Sequence, residues 1–305
     1  MSAVQPDSNT FHGLIDTDAE LVCIGSGYQF TEGPVWDPAQ NCLLFSDIPG
    51  DTRWRWSERD GMTVDLYPTF KGNGMALDIE GNLLVCEQVS SCLVRFRPGG
   101  VRELVAFHHE GRYLNSPNDV VVRAADGGIY FTDPDYGRWN DWIGQERTRE
   151  LGFRGLWRVP HAGGPVELLC ARDEFDQPNG LCFSPDESLL YVNDSAARHV
   201  KAFDVAADGT LSGARVLHGG IGTGVPRSGN VDGMECDELG NVWVTGTGGV
   251  WVLSPQGERL GMVSTPEVAG SLCWGGADMR TLFVMTSTTV HTVRTIVGPT
   301  PLPPG

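Results

Sequence analysis

One hairpin-like pattern recurs along almost the whole chain, and it constrains the fold more than any other feature of the sequence. Each copy has a short apolar run, a polar turn and a second apolar run, an order that predicts a β-hairpin. The copies are EGPVWDPAQNCLLFSD from Glu32, NGMALDIEGNLLVCEQ from Asn73, NDVVVRAADGGIYFTD from Asn118, NGLCFSPDESLLYVND from Asn179, DGMECDELGNVWVTG from Asp232 and GSLCWGGADMRTLFVMTS from Gly270. The last of these matches least well.

The spacing of the copies indicates how they assemble. Their starts are separated by 41, 45, 61, 53 and 38 residues, and further strand candidates such as CLVRFRPGGVRELVAF lie between them. A repeat of about 40 to 60 residues with about four strands is typical of a β-propeller blade. We therefore predict an all-β fold, a single six-bladed β-propeller of four-stranded antiparallel blades over residues 1–305. The blades span about residues 20–295, between short flexible N- and C-terminal tails. A β-sandwich with a smaller domain is the alternative, but a sandwich need not repeat its strand-initiating sequence.

The longest spacing contains an insertion, DYGRWNDWIGQERTRELGF at residues 135–153. It is too polar and irregular for a blade strand, so we expect an inserted loop at one face of the propeller. Long loops in compact domains often bind ligands or act as lids, although an insertion without function is an equal alternative. Tyr136, Trp139 and Trp142 can wall a pocket there or serve only in local packing.

Composition excludes several partners and suggests a compartment. The formal net charge of -17 repels phosphate backbones and anionic membrane surfaces, so we expect neither nucleic acid nor membrane as a partner. The start of the chain lacks the pattern of a secretory signal, and no segment approaches the ~18 apolar residues of a membrane span. The eight scattered cysteines form no C-x-x-C pair and favour buried free thiols in a reducing compartment. These features predict a cytoplasmic protein.

The first position of each copy is where chemistry is expected. In a propeller the innermost strands run beside the central channel, so equivalent residues at one end of them converge. Asn-Gly and Asp-Gly pairs can simply form turns leading into each strand, and we expect Gly180 to have only a local turn role. That explanation fails for Glu32, and for Asn118, which Asp119 follows. Converging oxygen side chains are costly to desolvate without a cation. They predict one divalent metal ion on the axis, with Ca²⁺ favoured and Mg²⁺, Mn²⁺ or Zn²⁺ as alternatives.

Several motifs together resemble a known family. TEGPVWD, LNSPNDVVV, FTDPDYG, DQPNGLCFSPD and DGMECDELGNVWV are similar to segments of the SMP-30/gluconolactonase/luciferin-regenerating family of six-bladed propeller hydrolases, and the similarity covers residues 29–293. Members hold a divalent metal on the propeller axis with a Glu, two Asn and an Asp. The resemblance implies that the metal ligands here are Glu32, Asn118, Asn179 and Asp232. It gives Asn73 a supporting or substrate-contacting role.

The chain departs from the family pattern around the pocket. Relatives commonly read CEHG where this chain has Cys86-Glu87-Gln88-Val89, and regucalcin-type members carry an Arg at the position of Ser116. Both changes leave the metal ligands intact but leave the identity of the substrate open. We predict Gln88 and Tyr136, with Asn73, as substrate-binding residues.

The resemblance implies lactone hydrolysis. The metal would polarise the carbonyl of a gluconolactone-like aldonolactone or another small lactone. Asp232 is the predicted catalytic residue, as a base that assists attacking water or as a nucleophile, although it can also be a ligand only. An esterase or organophosphate hydrolase on the same metal, or a non-enzymatic calcium-binding propeller, are the alternatives. We expect a small-molecule lactone or ester as the partner, and a monomer or weak homo-oligomer.

Overall fold

Six four-stranded antiparallel β-sheets are arranged as the blades of a ring in the computed structural model, which describes residues 3–222 and 229–300. This confirms the predicted six-bladed β-propeller. Two short 3-10 helices, Asn9–Gly13 and Tyr136–Arg138, are the only helices in these two ranges. Neither is long or apolar enough to cross a bilayer.

Within each blade the first strand named below lies nearest the propeller axis and the last lies at the periphery. Blade 1 contains Thr31–Asp37, Cys42–Asp47, Thr52–Ser57 and Gly61–Leu66. Blade 2 contains Gly72–Leu77, Leu83–Glu87, Cys92–Arg97 and Val101–Ala106. Blade 3 contains Val120–Val122, Ile129–Asp133, Gly155–Val159 and Glu167–Leu168. The ribbon His108–His109 with Arg112–Tyr113 lies between blades 2 and 3 in the chain.

The remaining three blades follow the same plan. Blade 4 contains Pro178–Phe183, Leu189–Asp194, His199–Val205 and Leu211–Gly219. Blade 5 contains Met234–Cys236, Val242–Gly246, Gly249–Leu253 and Arg259–Ser264. Blade 6 contains Ala269–Gly275, Thr281–Thr286 and Thr289–Arg294, with Val22–Ser26 as its outer strand.

Blade 6 therefore joins the two ends of the chain. Val22–Ser26 comes from near the N-terminus and pairs antiparallel with Thr289–Arg294. The ring is closed by backbone hydrogen bonds between segments far apart in sequence. Closure of this kind protects sheet edges that would otherwise be open to other chains.

The first residues are ordered against blade 5. Sequence patterns predict a flexible tail before about residue 20, but Val4–Pro6 pairs with Arg259–Ser264 as a fifth strand. Phe11 is fully buried and its ring lies 6.5 Å from that of Trp243. The tail prediction is therefore wrong for this segment, since apolar contacts hold it to the blade. The C-terminal segment is held to blade 5 as far as Gly298, whose carbonyl accepts a hydrogen bond from Glu238 N at 2.9 Å. Residues 301–305 lie outside the described part of the chain.

Apolar clusters fill the spaces between neighbouring blades. Second strands such as Cys42–Asp47 and Leu83–Glu87 are buried along their whole length because both of their faces are covered. All eight cysteines are free. The expectation of buried thiols is wrong for Cys23, which is exposed on the outer strand of blade 6, and Cys170 is half-buried.

Candidate active site

The predicted site residues come together at one end of the central channel. Seven of them line a single cavity of about 210 Å³: Glu32, Asn73, Gln88, Asn118, Tyr136, Asn179 and Asp232. Each of the four predicted metal ligands stands at or just before the start of an inner strand, in blades 1, 3, 4 and 5. The propeller thus places residues from distant parts of the sequence around one point.

Backbone bulges stand at the starts of the inner strands. One extra residue interrupts the register between Glu32 and Val35, between Gly72 and Met75, and between Pro178 and Leu181. A bulge of this kind re-aims a side chain and bends the strand locally. Polar side chains that would otherwise follow the pleat of the sheet can therefore line the cavity.

Glycines beside the site residues let neighbouring blades approach closely. The distances from a Cβ built at each glycine to the nearest atom of another blade are 2.0 Å from Gly33 to Asn73 O, 2.5 Å from Gly74 to Asn118 O, 2.1 Å from Gly180 to Asp232 O and 2.1 Å from Gly233 to Ser271 Oγ. The interpretation of Gly180 as a turn residue is wrong, because it lies within Pro178–Phe183 against the backbone of blade 5. In blade 6 the residue equivalent to Asn179 and Asp232 is Gly270. A Cβ at this residue would lie 2.3 Å from Glu32 Oε1.

Polar groups on the second strands hold the site backbone in place, and the sequence analysis missed them. Ser46 Oγ donates to Asn73 O at 2.9 Å, and Thr132 Oγ1 donates to Asn179 O at 2.8 Å. Asn193 Nδ2 likewise donates to the carbonyl of Asp232. In each case the donor belongs to the preceding blade. A Ser, Thr or Asn recurs at the end of the second run in five of the six copies, with Cys86 in the other, and this is the signal that could have revealed the role.

An aspartate follows three of these donors and fixes the loop that leads into the inner strand. Asp133 accepts hydrogen bonds from Asn115 N and Ser116 N, both at 2.8 Å. Asp47 does the same for Gln29 N and Phe30 N, at 3.1 to 3.2 Å. These loops therefore reach the site already ordered by carboxylates that do not line the cavity.

The surroundings of Glu32 and Asp232 strongly disfavour the ionised form of both side chains. Burial, followed by the charge of Asp232, raises the pKa of Glu32 well above its usual range. Burial and then the charge of Asp119 raise the pKa of Asp232 to about 8, while a hydrogen bond from Asn179 opposes this shift. The described residues therefore leave negative charge on the axis uncompensated.

A divalent cation fits this donor set. Glu32 Oε1 is buried without a hydrogen-bond partner in the described chain, while Oε2 accepts from Gly33 N at 3.0 Å. Two carboxylates and two carboxamides offer the hard oxygen atoms that Ca²⁺ and similar ions prefer. No group of three or more His, Cys, Asp or Glu side chains is arranged for a metal in residues 3–222 or 229–300. The candidate set contains only two residues of those types, so its amide oxygens are essential.

Ser195 links two of the predicted residues and is itself absent from the sequence prediction. Its Oγ accepts from Asn179 Nδ2 at 3.0 Å and donates to Val231 O at 2.6 Å. It also hydrogen-bonds Tyr136, although burial is the larger influence and raises the pKa of that phenol. Because Ser195 takes one amide hydrogen of Asn179, it fixes the side-chain orientation and leaves Oδ1 available as an acceptor.

The insertion at residues 135–153 lies over the cavity. Trp142 and Ile143 line it beside Tyr136, and the Trp142 ring lies 5.7 Å from that of Phe30. Trp139 does not line the cavity and has the alternative role of local packing, with its ring 4.8 Å from that of Tyr136. Its indole Nε1 instead donates to Asp135 Oδ1 at 3.0 Å.

Two arginines anchor this insertion to the loops of blades 2 and 3. Arg138 is buried, and its Nε donates to Asn115 O at 2.6 Å while its Nη2 donates to Ser91 Oγ at 3.2 Å. Arg147 Nη2 donates to Gln88 O at 2.8 Å. The insertion is thus fastened to the same loop that carries Gln88.

Gln88 and Ser116, the two positions where this chain departs from the family pattern, both lie against Gly137 of the insertion. Gly137 N donates to Ser116 Oγ at 3.1 Å, and a Cβ on Gly137 would lie 2.7 Å from Gln88 Cβ. Gln88 Oε1 is buried and has no hydrogen-bond partner among the described residues. Ser116 therefore supports the insertion from outside the cavity, whereas Gln88 lines it.

Over nearly the whole chain, this protein is similar to known proteins of one family. A family model of the SMP-30/gluconolactonase/LRE-like region matches residues 30–288. A gluconolactonase of Zymomonas mobilis is 31% identical over 92% of this chain and 83% of its own length. The regucalcin of Oryctolagus cuniculus is 29% identical over 83% of this chain and 81% of its own length. Among solved structures, a gluconolactonase from Xanthomonas campestris has a TM-score of 0.87 and 30% identity, covering 96% of this chain and 94% of that one.

Proposed function

This chain belongs to the SMP-30/gluconolactonase/LRE-like family, and we propose that it is a metal-dependent hydrolase that opens a small lactone. The activity of its gluconolactonase relatives supports the reaction type. One observation carries the assignment to this site. Two carboxylates and two carboxamides from four blades line one small cavity, and a buried oxygen of Glu32 has no partner among the described residues.

Glu32, Asn118, Asn179 and Asp232 would hold the cation through their side-chain oxygens. When bound, a divalent cation supplies a Lewis acid that polarises the lactone carbonyl and acidifies bound water. Its charge would also offset the burial and the repulsion by Asp232 that raise the pKa of Glu32. The set holds fewer oxygens than the about six to eight that Ca²⁺ takes, which leaves room for water and substrate.

Asp232 is the proposed base. Its carboxylate lines the cavity and takes a proton from the water that attacks the carbonyl carbon. The bond from that carbon to the ring oxygen then breaks, and the proton passes to the leaving oxygen to give a hydroxy acid. Burial and then the charge of Asp119 raise the pKa of Asp232 to about 8, while the hydrogen bond from Asn179 opposes this shift. The charge of a bound cation would further favour the ionised form that a base requires.

The cavity favours a compact polar substrate. Its volume of about 210 Å³ lies below the roughly 300–1,000 Å³ of pockets for drug-sized ligands. Asn73 and Gln88 offer amide groups to hydroxyls of the substrate, while Tyr136 and Trp142 offer ring faces. A monosaccharide lactone of the gluconolactone type matches both the size and the chemistry.

The test is hydrolysis by the purified protein, followed as acid release. Gluconolactone, an aromatic lactone, an aryl ester and an organophosphate triester are compared, each with EDTA or with added Ca²⁺, Mg²⁺, Mn²⁺ or Zn²⁺. We expect metal-dependent turnover of gluconolactone above its spontaneous rate. Turnover of the ester or triester alone would assign the site to a different hydrolase. Tight Ca²⁺ binding without turnover of any substrate would support a calcium-binding propeller instead.

A further inference from the structure

A second cavity occupies the opposite end of the central channel. Its volume is about 660 Å³, and the inner strands of all six blades line it. The walls are mainly apolar and include Val35, Met75, Val120, Leu181, Met234 and Leu272. The rim is formed where the inner strands of blades 1 and 6 end, at Pro38 and Met279. We call this space the channel cavity.

Four acidic residues line this mainly apolar space, and two of them, Glu238 and Asp278, pair with Arg280 and Arg294. The other two form no ion pair among the described residues. Asp119 and Glu235 both line the channel cavity, and Asp119 accepts a hydrogen bond from Val120 N at 2.9 Å. No hydrogen bond to the carboxylate of Glu235 occurs in the described chain. Burial, followed by the charge of Asp119, raises the pKa of Glu235 to about 8. An ionised group here is costly unless a cation accompanies it.

No described residue supplies a cation to these two acids. Arg280 is the one basic side chain in the described lining, and it pairs with Glu238, with 3.2 Å between Nη2 and Oε2. The channel cavity therefore combines apolar walls with negative charge that the described residues do not neutralise. Its volume falls in the range of small-molecule sites.

We propose that the channel cavity binds an organic amine, with its apolar body along the strand walls and its protonated nitrogen against Glu235 and Asp119. A bare metal ion fits less well, because the apolar walls offer few further oxygen ligands for a full coordination shell. An anion is repelled, and a neutral hydrocarbon leaves both carboxylates unpaired. The channel cavity and the proposed lactone site share no lining residue, but they are neighbours, since the charge of Asp119 acts on Asp232.

Binding of three probes of matched size tests this proposal. Hexylamine, hexanol and hexanoate are titrated into the full-length protein by calorimetry and by intrinsic fluorescence, since Trp36 and Trp274 line the channel cavity. We expect hexylamine to bind about tenfold or more tightly than hexanol, from its charge-assisted hydrogen bonds. Hexanoate should not bind. Equal affinity for the amine and the alcohol, or displacement of the amine by Ca²⁺ alone, would overturn the proposal.

Two variants locate the binding. Glu235→Gln keeps the shape of the side chain. It should weaken the binding of hexylamine about tenfold or more and leave the affinity for hexanol nearly unchanged. Glu58→Gln, on the exposed surface, is the matched control and should change neither. Ala76→Phe narrows the channel cavity and should weaken the binding of both ligands. This variant still tests the location of the site if Glu235→Gln does not fold. Amine binding that survives both substitutions would place it elsewhere.

Discussion

Adjacent residues at the start of an inner strand have different roles. The polar residue lines the active-site cavity, as Asn179 does, and the glycine beside it lets the next blade approach. Local sequence alone does not separate these roles, because an Asn-Gly pair is also the common signal for a turn. The blade-to-blade contact that explains Gly180 is between residues far apart in the chain.

Substitution of Gly180 tests the glycine role. In Gly180→Ala the new methyl group would lie 2.1 Å from the carbonyl oxygen of Asp232, so blades 4 and 5 must separate. We expect a loss of about 1–3 kcal/mol in the free energy of unfolding, with weakened metal affinity. Gly13→Ala is the control, since a Cβ there meets nothing within 4 Å. Equal effects of the two substitutions in chemical denaturation would contradict the contact.

Asp232→Asn separates catalysis from metal binding. The amide keeps an oxygen ligand but cannot accept a proton, so we expect kcat to fall by about 10²–10⁴-fold while the fold is retained. Metal affinity, measured by calorimetry, should fall far less than kcat. If turnover of gluconolactone survives while metal stays bound, Asp232 is only a ligand.

The stability of the metal-free protein should depend on pH through the same carboxylate. The pKa of Asp232 is raised to about 8 in the folded protein, against an ordinary value of about 3.9 for an unfolded chain. The folded state then binds more protons between these values, so the free energy of unfolding falls as the pH rises through this window. Thermal melts in EDTA should show this fall, and Asp232→Asn should reduce its slope. An unchanged slope would mean that Asp232 already has a compensating partner.

At the scale of elements, the sequence predicts what is local and repeated. The inner and second strands of each blade are adjacent in the chain and share a pattern, so the hairpins and their number follow from the repeat. Convergence of Glu32 and Asp232 follows from the same symmetry. Val4–Pro6 escapes prediction because three residues carry no periodicity and their partner strand is more than 250 residues away. The role of Glu235 is not predicted either, because the sequence argument considered only the first position of each copy and this copy begins at Asp232.

The insertion at residues 135–153 offers a test at this scale. Arg138 fastens it by hydrogen bonds to Asn115 O and Ser91 Oγ, and Arg138→Ala removes them. We expect KM for the lactone to rise by about tenfold, equivalent to ~1.4 kcal/mol, with a smaller change in kcat. Limited proteolysis should cut the insertion faster. Arg59→Ala, at an exposed position, is the control, and equal KM values for the two variants would show that the insertion does not shape the site.

At the scale of the whole molecule, closure of the ring can be tested by truncation. Removing residues 1–26 deletes Val22–Ser26 and exposes the edge of Thr289–Arg294. We expect a large fall in the unfolding midpoint and a tendency to aggregate through the open edge. Removing residues 1–7 deletes only the added strand of blade 5 and should cost much less. Similar midpoints for the two truncations would show that blade 6 does not depend on its outer strand.

The shared blade also has a consequence for biosynthesis. The outer strand of blade 6 leaves the ribosome before the strands of blades 1 to 4, while the other three strands of blade 6 leave after them. Blades 1 to 4 can form hairpins as they emerge, but the ring cannot close until the last strand of blade 6 has left the ribosome. During that interval Val22–Ser26 is an unpaired strand that needs protection from other nascent chains. A ribosome stalled within blade 6 should therefore hold a chain with native-like hairpins and without a closed propeller.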